Sequence, residues 1–173
     1  MDEAIFNFGE KRKNYDVAFI YYAGHGVQDS AGNDYLLPID WNIEKAFKGN
    51  ELNIEFLSKY FAVKDSSKTV LILDACRKSY QPYENFSSPN YKNEPVNVKI
   101  GFSTSNGHVA YDNSNLENSL YTKKLSERFL FTGNSIYRVF KQTFSYVYTE
   151  TKARQRPIAY FGELVDDVIL NSL

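Results

Sequence analysis

Two stretches decide the fold of this chain: residues 17–26 read VAFIYYAGHG, and residues 70–77 read VLILDACR. Each is an apolar run of strand length that ends shortly before a reactive side chain, His25 in the first stretch and Cys76 in the second. Continuous apolar runs bounded by Gly or Asp are typical of parallel strands that are covered on both faces. The two stretches therefore predict two buried strands of an α/β fold.

The two predicted strands, over 16–23 and 68–74, are separated by a segment long enough for a crossover that contains a helix. Parallel neighbours lie about 4.8 Å apart, and the functional crevice of an open α/β sheet lies beyond the carboxyl ends of its strands. Equal offsets past the two strand ends bring the His25 imidazole and the Cys76 thiol within reach of each other. A cysteine beside a histidine is the arrangement of an activated nucleophile.

Hydrophobic periodicity and turn residues predict the other elements. Residues 24–32 are expected to form a glycine-punctuated loop. Residues 77–98 contain three of the five prolines together with Ser and Asn clusters, so we expect a long exposed loop there. Further strands are expected over 35–39, 99–105 and 157–161, and helices over 4–13, 53–63, 116–131, 135–149 and 163–170.

The bulk properties favour a single domain over residues 1–173 and exclude several classes of function. The net charge of −1 argues against an electrostatic nucleic-acid binder. The N-terminal residues contain no long apolar segment, so we expect no signal peptide, no membrane span and a cytoplasmic setting. One cysteine excludes an internal disulfide and a multi-cysteine metal site. With two histidines besides, the chain offers few ligands for zinc, so we do not expect a zinc site.

The motif YYAGHG, followed by LILDACRKS at the His-to-Cys spacing of about 50 residues found in caspases, resembles the caspase-like cysteine peptidases, a group that includes caspases, metacaspases and paracaspases. The resemblance is greatest to paracaspases and their bacterial relatives, in which Asp stands two residues before the cysteine. It continues through IGFSTSNGHVAYD and covers roughly residues 4–161. It implies a three-layer α/β/α fold around a mostly parallel sheet.

The same resemblance implies the catalytic roles. Cys76 would be the thiolate nucleophile, and His25 the general base that later protonates the leaving amine. The backbone N–H groups of Gly26 and Cys76 would form the oxyanion hole. Two simpler interpretations stay open, since a lone cysteine is often an inert core residue and glycines such as Gly24 and Gly26 are common in turns.

Substrate specificity can be predicted from charge. Asp74 follows a buried run, where an unpaired carboxylate is costly. It should therefore either cap the local backbone by accepting hydrogen bonds from nearby N–H groups or bind a cation. In the family, the matching Asp lies at the base of the S1 pocket, and Asp112 aligns with the arginine of caspases that cleave after Asp. Two carboxylates predict a basic P1 residue, Arg or Lys, and repulsion of an acidic one. The resemblance of IGFSTSNGHVAYD to the substrate-lining segment of the family implies that Ser103, Ala110 and Tyr111 also contact the substrate.

Further candidate residues lie in the loops. In caspases, the region after the cysteine is a linker that is cut on activation, so Lys78 and Lys92 are candidate self-cleavage sites. Asp29, Asp34 and Asp40 could be considered as calcium ligands, but their spacing fits no EF-hand loop and turn capping is the expected role. We therefore expect no metal and no cofactor.

The sequence also departs from the family. In a complete caspase-like domain a strand, a helix and a second strand precede the helix over 4–13. The residues before YYAGHG number about twenty, enough for one helix, so we expect this strand-helix-strand unit to be missing from the chain. Its first strand normally lies beside the histidine strand. Besides a protein or peptide substrate, we therefore expect a second chain, either an N-terminal segment of the parent protein or another copy, to complete the sheet. The alternative to a peptidase is a catalytically incomplete subunit or pseudoenzyme that binds proteins.

Overall fold

A computed structural model of the chain describes residues 1–40, 52–62, 67–79, 97–110, 118–161 and 167–170. These residues form one mixed sheet with helices on both faces. The elements in chain order are α1 (Asp2–Arg12), β1 (Val17–Gln28), β2 (Asp34–Leu37), α2 (Ile54–Phe61), β3 (Lys68–Ala75), β4 (Lys78–Ser79), β5 (Val98–Phe102), α3 (Leu120–Phe129), α4 (Ile136–Glu150) and β6 (Ile158–Phe161).

The sheet has the strand order β2-β1-β3-β5-β6, and the short β4 pairs with the end of β1. β1 and β3 are parallel neighbours, as are β3 and β5, whereas β2 and β6 are antiparallel to their neighbours. The register of β1 against β3 places Gly24 opposite Ala75. His25 and Cys76 therefore follow paired positions at the point where the β1–β3 pairing ends, as the equal offsets predict. The prediction that His25 lies past the end of its strand is wrong, because β1 continues to Gln28.

The core lies in two layers, one on each face of β3, because successive side chains of a strand point to opposite faces. Val70 and Ile72 pack with α3 and α4, while Leu71 and Leu73 pack with α1 and α2. All four are at most 4% exposed, and each such burial stabilises the fold by roughly 1.5–3 kcal/mol. The predicted three-layer α/β/α fold is confirmed.

Strand β1 is longer than the sequence predicts. It continues through residues 24–28, so the loop predicted over 24–32 is wrong in its first half. The physical reason is that β2 pairs with residues 25–28 and β4 with Val27 and Gln28. The next strand along the chain and a strand distant in sequence thus satisfy a backbone whose glycines suggest a turn.

The long loop predicted over 77–98 is wrong at both of its ends. Arg77 is 2% exposed, because its guanidinium forms an ion pair with Asp34. Lys78–Ser79 forms β4, and Val98 begins β5 and is fully buried. Residues 80–96 of this predicted loop lie outside the described residues.

The helix predicted over 163–170 is wrong for residues 167–170, and residues 162–166 lie outside the described part of the chain. The Ile136 amide donates to the Val168 carbonyl, and the Leu170 amide donates to the Asn134 carbonyl. These bonds hold the segment extended, with the Val168 and Leu170 side chains in the core beside α4.

Among the described residues, no helix combines the length and the apolar character that crossing a membrane requires.

Candidate active site

His25 and Cys76 line one cavity of about 420 Å³ at the point where the pairing of β1 with β3 ends. His25 is exposed, and Cys76 is half-buried with its Sγ 3.9 Å from the Ala110 carbonyl oxygen. The cavity is lined by Tyr21, Ala23, Gly24, His25, Asp74, Ala75, Cys76, Ala110, Asn118 and Ser119. A thiol, an imidazole and a carboxylate therefore line one cavity.

Gly26 lies where two backbones approach closely. A Cβ atom at this position would lie 2.6 Å from the Cys76 carbonyl oxygen and 3.1 Å from the Ala75 Cβ. Gly26 is within β1, and the described glycines with positive φ are elsewhere, at Gly32, Gly107 and Gly133. Close approach to the backbone at Cys76, and not a turn, is therefore what requires glycine here.

The ladder between β1 and β2 shows which way the Gly26 amide points. Gly26 pairs with Leu36, whose own amide donates to the Leu52 carbonyl at 2.9 Å and so points away from β1. In an antiparallel pair, both residues point toward each other or both point away. The Gly26 N–H group is therefore directed to the side of β1 on which β3 ends at Cys76.

Asp74 faces the cavity and has two hydroxyl partners. Its side chain is 8% exposed, and its Oδ2 accepts hydrogen bonds from Ser119 Oγ and, at 2.5 Å, from Thr122 Oγ1. These bonds offset the cost of burying the carboxylate. Among the described residues, no donor reaches Oδ1. Among the described residues, the partners of the Asp74 carboxylate are therefore side-chain hydroxyls of α3 and not nearby backbone N–H groups.

Ser119 and Thr122 come from the start of α3. Ser119 is the N-cap residue, and its Oγ accepts from the Thr122 amide at 3.0 Å. Thr122 Oγ1 also contacts the Tyr21 hydroxyl at 2.8 Å. Sequence reasoning missed these residues as partners of Asp74. The only signal was a serine at the start of a predicted helix, which indicates a cap but not a distant carboxylate.

Comparison with known proteins decides the family: the model of the caspase domain matches residues 1–169. The chain belongs to the caspase family. Its sequence is 28% identical over 114 residues to human mucosa-associated lymphoid tissue lymphoma translocation protein 1, and equally to the mouse homolog. The match covers 64% of this chain but only 14% of the human and 13% of the mouse protein.

A solved structure supports the caspase fold. The crystal structure of caspase-1 from Spodoptera frugiperda matches 92% of this chain and 66% of its own chain, with a TM-score of 0.61 and 15% sequence identity. The predicted resemblance to caspase-like peptidases is thereby confirmed at the level of family and fold.

The structure places the other predicted site residues of this caspase-family chain differently. Ala110 lines the cavity. Ser103 is fully buried, and its Oγ donates to the carbonyl of Ala75, the last residue of β3. The predicted substrate contact by Ser103 is therefore wrong in this structure. Tyr111 and Asp112 lie outside the described residues.

The candidate processing and calcium residues are not brought to the cavity. The backbone of Lys78 lies in β4 opposite Val27, and Lys92 is outside the described residues. The Asp29 carboxylate accepts from the amides of residues 31 and 33, as expected for turn capping, and Asp34 pairs with Arg77. Within the described part of the chain, no three acidic, His or Cys side chains are placed to share a metal ion.

Proposed function

We propose that this chain is the catalytic domain of a cysteine endopeptidase that cleaves peptide bonds after Arg or Lys. The observation that carries the proposal is the single cavity shared by His25, Cys76 and Asp74. With the scissile carbonyl at Cys76, the side chain of the same residue, P1, would point toward the carboxylate of Asp74.

The proposed reaction uses side chains of the chain and water. His25 takes the thiol proton, and the Cys76 sulfur attacks the scissile carbonyl carbon, whose π electrons move to the oxygen. The tetrahedral intermediate collapses to a thioester while His25 donates the proton to the leaving amine. Water then hydrolyses the thioester. A free thiol nucleophile suits a reducing compartment such as the cytoplasm.

The oxyanion of each tetrahedral intermediate needs preorganised donors. The N–H groups of Gly26 and Cys76 are proposed for this role. The close approach of these two backbones and the direction of the Gly26 amide support it.

The preference for a basic P1 residue rests on Asp74. Its Oδ2 is held by hydroxyls of α3, and its Oδ1 has no donor among the described residues. A guanidinium can therefore bind a carboxylate that is already oriented, whereas an acidic side chain would meet a like charge. Asp112 is proposed to add the second carboxylate.

A second segment is proposed to complete the sheet. On the outer side of residues 17–24, no described strand pairs with β1, and Val17, Phe19 and Tyr21 are 38%, 41% and 51% exposed. An apolar groove of about 340 Å³ lies between α1 and the same stretch of β1. Unpaired edges of this kind bind strands. The occupant is an N-terminal segment of the parent protein or a second copy.

The same edge favours the second candidate function, a caspase-family subunit that binds proteins without catalysis.

Light scattering of the purified chain tests which segment pairs with this edge of β1. A dimer supports a second copy of the chain, and a monomer supports the N-terminal segment. In a monomer, the amides of β1 on this edge should exchange faster than those of β3. Slow exchange there would contradict an unpaired edge.

Labelling distinguishes the peptidase from the binding subunit. A short peptide with Arg at P1 and a thiol-reactive acyloxymethyl ketone should modify Cys76, and the matched peptide with Asp at P1 should not. Peptide mapping by mass spectrometry locates the adduct. Equal labelling by both peptides, or no labelling of Cys76 in a folded sample, would contradict the proposed peptidase.

A further inference from the structure

The hydroxyl of Tyr22 donates a hydrogen bond to the backbone carbonyl of His25. Tyr22 lies in β1, three residues before His25, and its Oη is 2.8 Å from the His25 carbonyl oxygen and 2.8 Å from the Leu37 carbonyl oxygen. The single hydroxyl proton is shared between these two acceptors. Burial raises the pKa of Tyr22, so the hydroxyl stays a donor at neutral pH.

Gly24 provides the space for this contact. A Cβ atom at position 24 would lie 2.7 Å from the Tyr22 hydroxyl oxygen and 2.9 Å from Cζ of the same ring. The ring therefore passes directly over the Gly24 backbone to reach the carbonyl of the next residue. Any larger residue at position 24 would displace the hydroxyl.

The carbonyl that Tyr22 holds belongs to the peptide unit whose N–H group is that of Gly26. A trans peptide is planar, and its C=O and N–H groups point in opposite directions. Holding the His25 carbonyl on the β2 side therefore directs the Gly26 N–H group away from β2, toward the end of β3. The pairing of Gly26 with Leu36 requires the same direction.

We propose that Tyr22 is a positioning residue for the oxyanion hole: its hydroxyl anchors the His25–Gly26 peptide so that the Gly26 N–H group faces the oxyanion at Cys76. The proposal rests on the proposed peptidase function. Tyr22 does not line the catalytic cavity, so it acts through the peptide and not on the substrate. Without the hydroxyl, only the pairing with β2 holds that peptide, and the Gly26 N–H group is less well preorganised.

A loss of this donor should affect tetrahedral species only. Loss of one oxyanion-hole donor lowers kcat by about 100-fold to 1,000-fold, and a donor that is merely less well held should cost about 10-fold or more. A peptide aldehyde forms a hemithioacetal: the Cys76 sulfur bonds to the aldehyde carbon, and the carbonyl π electrons move to the oxygen that occupies the hole. Iodoacetamide alkylates the same sulfur by displacing iodide and creates no oxyanion.

The test compares these two reagents on Tyr22→Phe and on a matched control, Tyr35→Phe. The Tyr35 hydroxyl is also hydrogen-bonded, but its partners are Asp29, in a turn, and Asn53. For Tyr22→Phe, we expect kcat to fall and the dissociation constant of an Arg aldehyde to rise, each about 10-fold or more. KM and the iodoacetamide rate should stay close to the wild-type values.

A second variant, Gly24→Ala, keeps the hydroxyl but displaces it, and we expect the same divergence between the two reagents. Tyr22→Phe that behaves like Tyr35→Phe would overturn the role of Tyr22 while leaving the peptidase function intact. A parallel loss of aldehyde binding and alkylation would also overturn it, because that pattern indicates a disrupted site. A folded wild type that neither cleaves nor binds the Arg aldehyde would overturn the proposed function, and the role of Tyr22 with it.

Discussion

Arg77, the residue after Cys76, forms a buried ion pair with Asp34 of β2. Its Nε lies 2.9 Å from Oδ1 and its Nη2 lies 2.5 Å from Oδ2, while the guanidinium carbon is 3.9 Å from the Phe102 ring centroid. The backbone N–H of Arg77 donates to the His108 carbonyl, and its carbonyl accepts from Gly107. The pair therefore links the residue that follows Cys76 to β2, the strand that pairs with β1 at His25.

Breaking this ion pair should destabilise the fold strongly. Asp34→Asn leaves a buried guanidinium without its counter-charge, which costs about 3–5 kcal/mol. Urea unfolding measures the loss. The matched control is Glu55→Gln, which removes an exposed ion pair with Lys59 on α2 and should cost less than about 1 kcal/mol. Equal losses in the two variants would show that the buried pair has no special role.

Asp74 and its hydroxyl donors should set the preference for a basic P1 residue. Arg substrates should be cleaved better than Lys substrates, because Arg pairs with carboxylates in a bidentate geometry. Asp74→Asn should lower kcat/KM for an Arg substrate by about 10-fold or more, since the charge-assisted bond is lost. A fluorogenic peptide library that varies P1 measures both effects.

The helix α3 offers controls for this prediction. Thr122→Val removes a donor to Asp74 and should weaken Arg selectivity, and Thr122→Ser should restore it. Ser126→Ala removes an exposed hydroxyl on the same helix that donates to the Lys123 carbonyl. A Thr122→Val enzyme with the selectivity of Ser126→Ala would show that the hydroxyl does not orient Asp74.

Self-processing should depend on Cys76 and should favour Lys92 over Lys78. The backbone of Lys78 pairs with β1, and a paired strand resists proteolysis. Intact mass spectra of the wild type and of Cys76→Ala, purified side by side, should differ by a cut after Lys92. Identical spectra would leave the segment after Cys76 without a processing role.

The buried Lys99 should destabilise the protein at neutral pH. Burial lowers the pKa of Lys99 from 10.5 in spite of nearby Asp167, so the folded state binds this proton more weakly than the unfolded state does. The cost of keeping the charge is full at neutral pH and disappears as the pH approaches 10.5. Lys99→Met should therefore be more stable than wild type near pH 7, with a difference that shrinks on raising the pH.

Denaturant unfolding at several pH values measures this difference. Lys59→Met, at an exposed position of α2, is the matched control. A Lys99→Met protein that is less stable than wild type at pH 7 would show that contacts of the ammonium outweigh its desolvation.

The placement of His25 and Cys76 could be predicted from the sequence because it depends on local signals. Each residue follows an apolar run of strand length. The two parallel strands pair in a register that places Gly24 opposite Ala75, so the residues that follow, His25 and Cys76, lie next to each other. The apolar alternation along β3 likewise predicts a sheet with both faces covered.

The polar contacts of the site could not be predicted in the same way. Asp74 meets Ser119 and Thr122, and Arg77 meets Asp34, across long stretches of sequence. Such contacts leave no periodic pattern, because one residue on each element is enough to make them. The extension of β1 past Gly24 could not be predicted for a different reason, because its glycines suggest a turn whereas pairing with β2 and β4 keeps this backbone extended.

The most direct test of the account is hydrolysis of two fluorogenic peptides that differ only at P1, Arg in one and Asp in the other. The wild type should cleave the Arg peptide and leave the Asp peptide intact. Cys76→Ala and His25→Ala should keep the wild-type circular dichroism spectrum but lose turnover, and the two losses should not add in the double variant. Turnover retained by Cys76→Ala, or a wild type that prefers Asp at P1, would contradict the central claim.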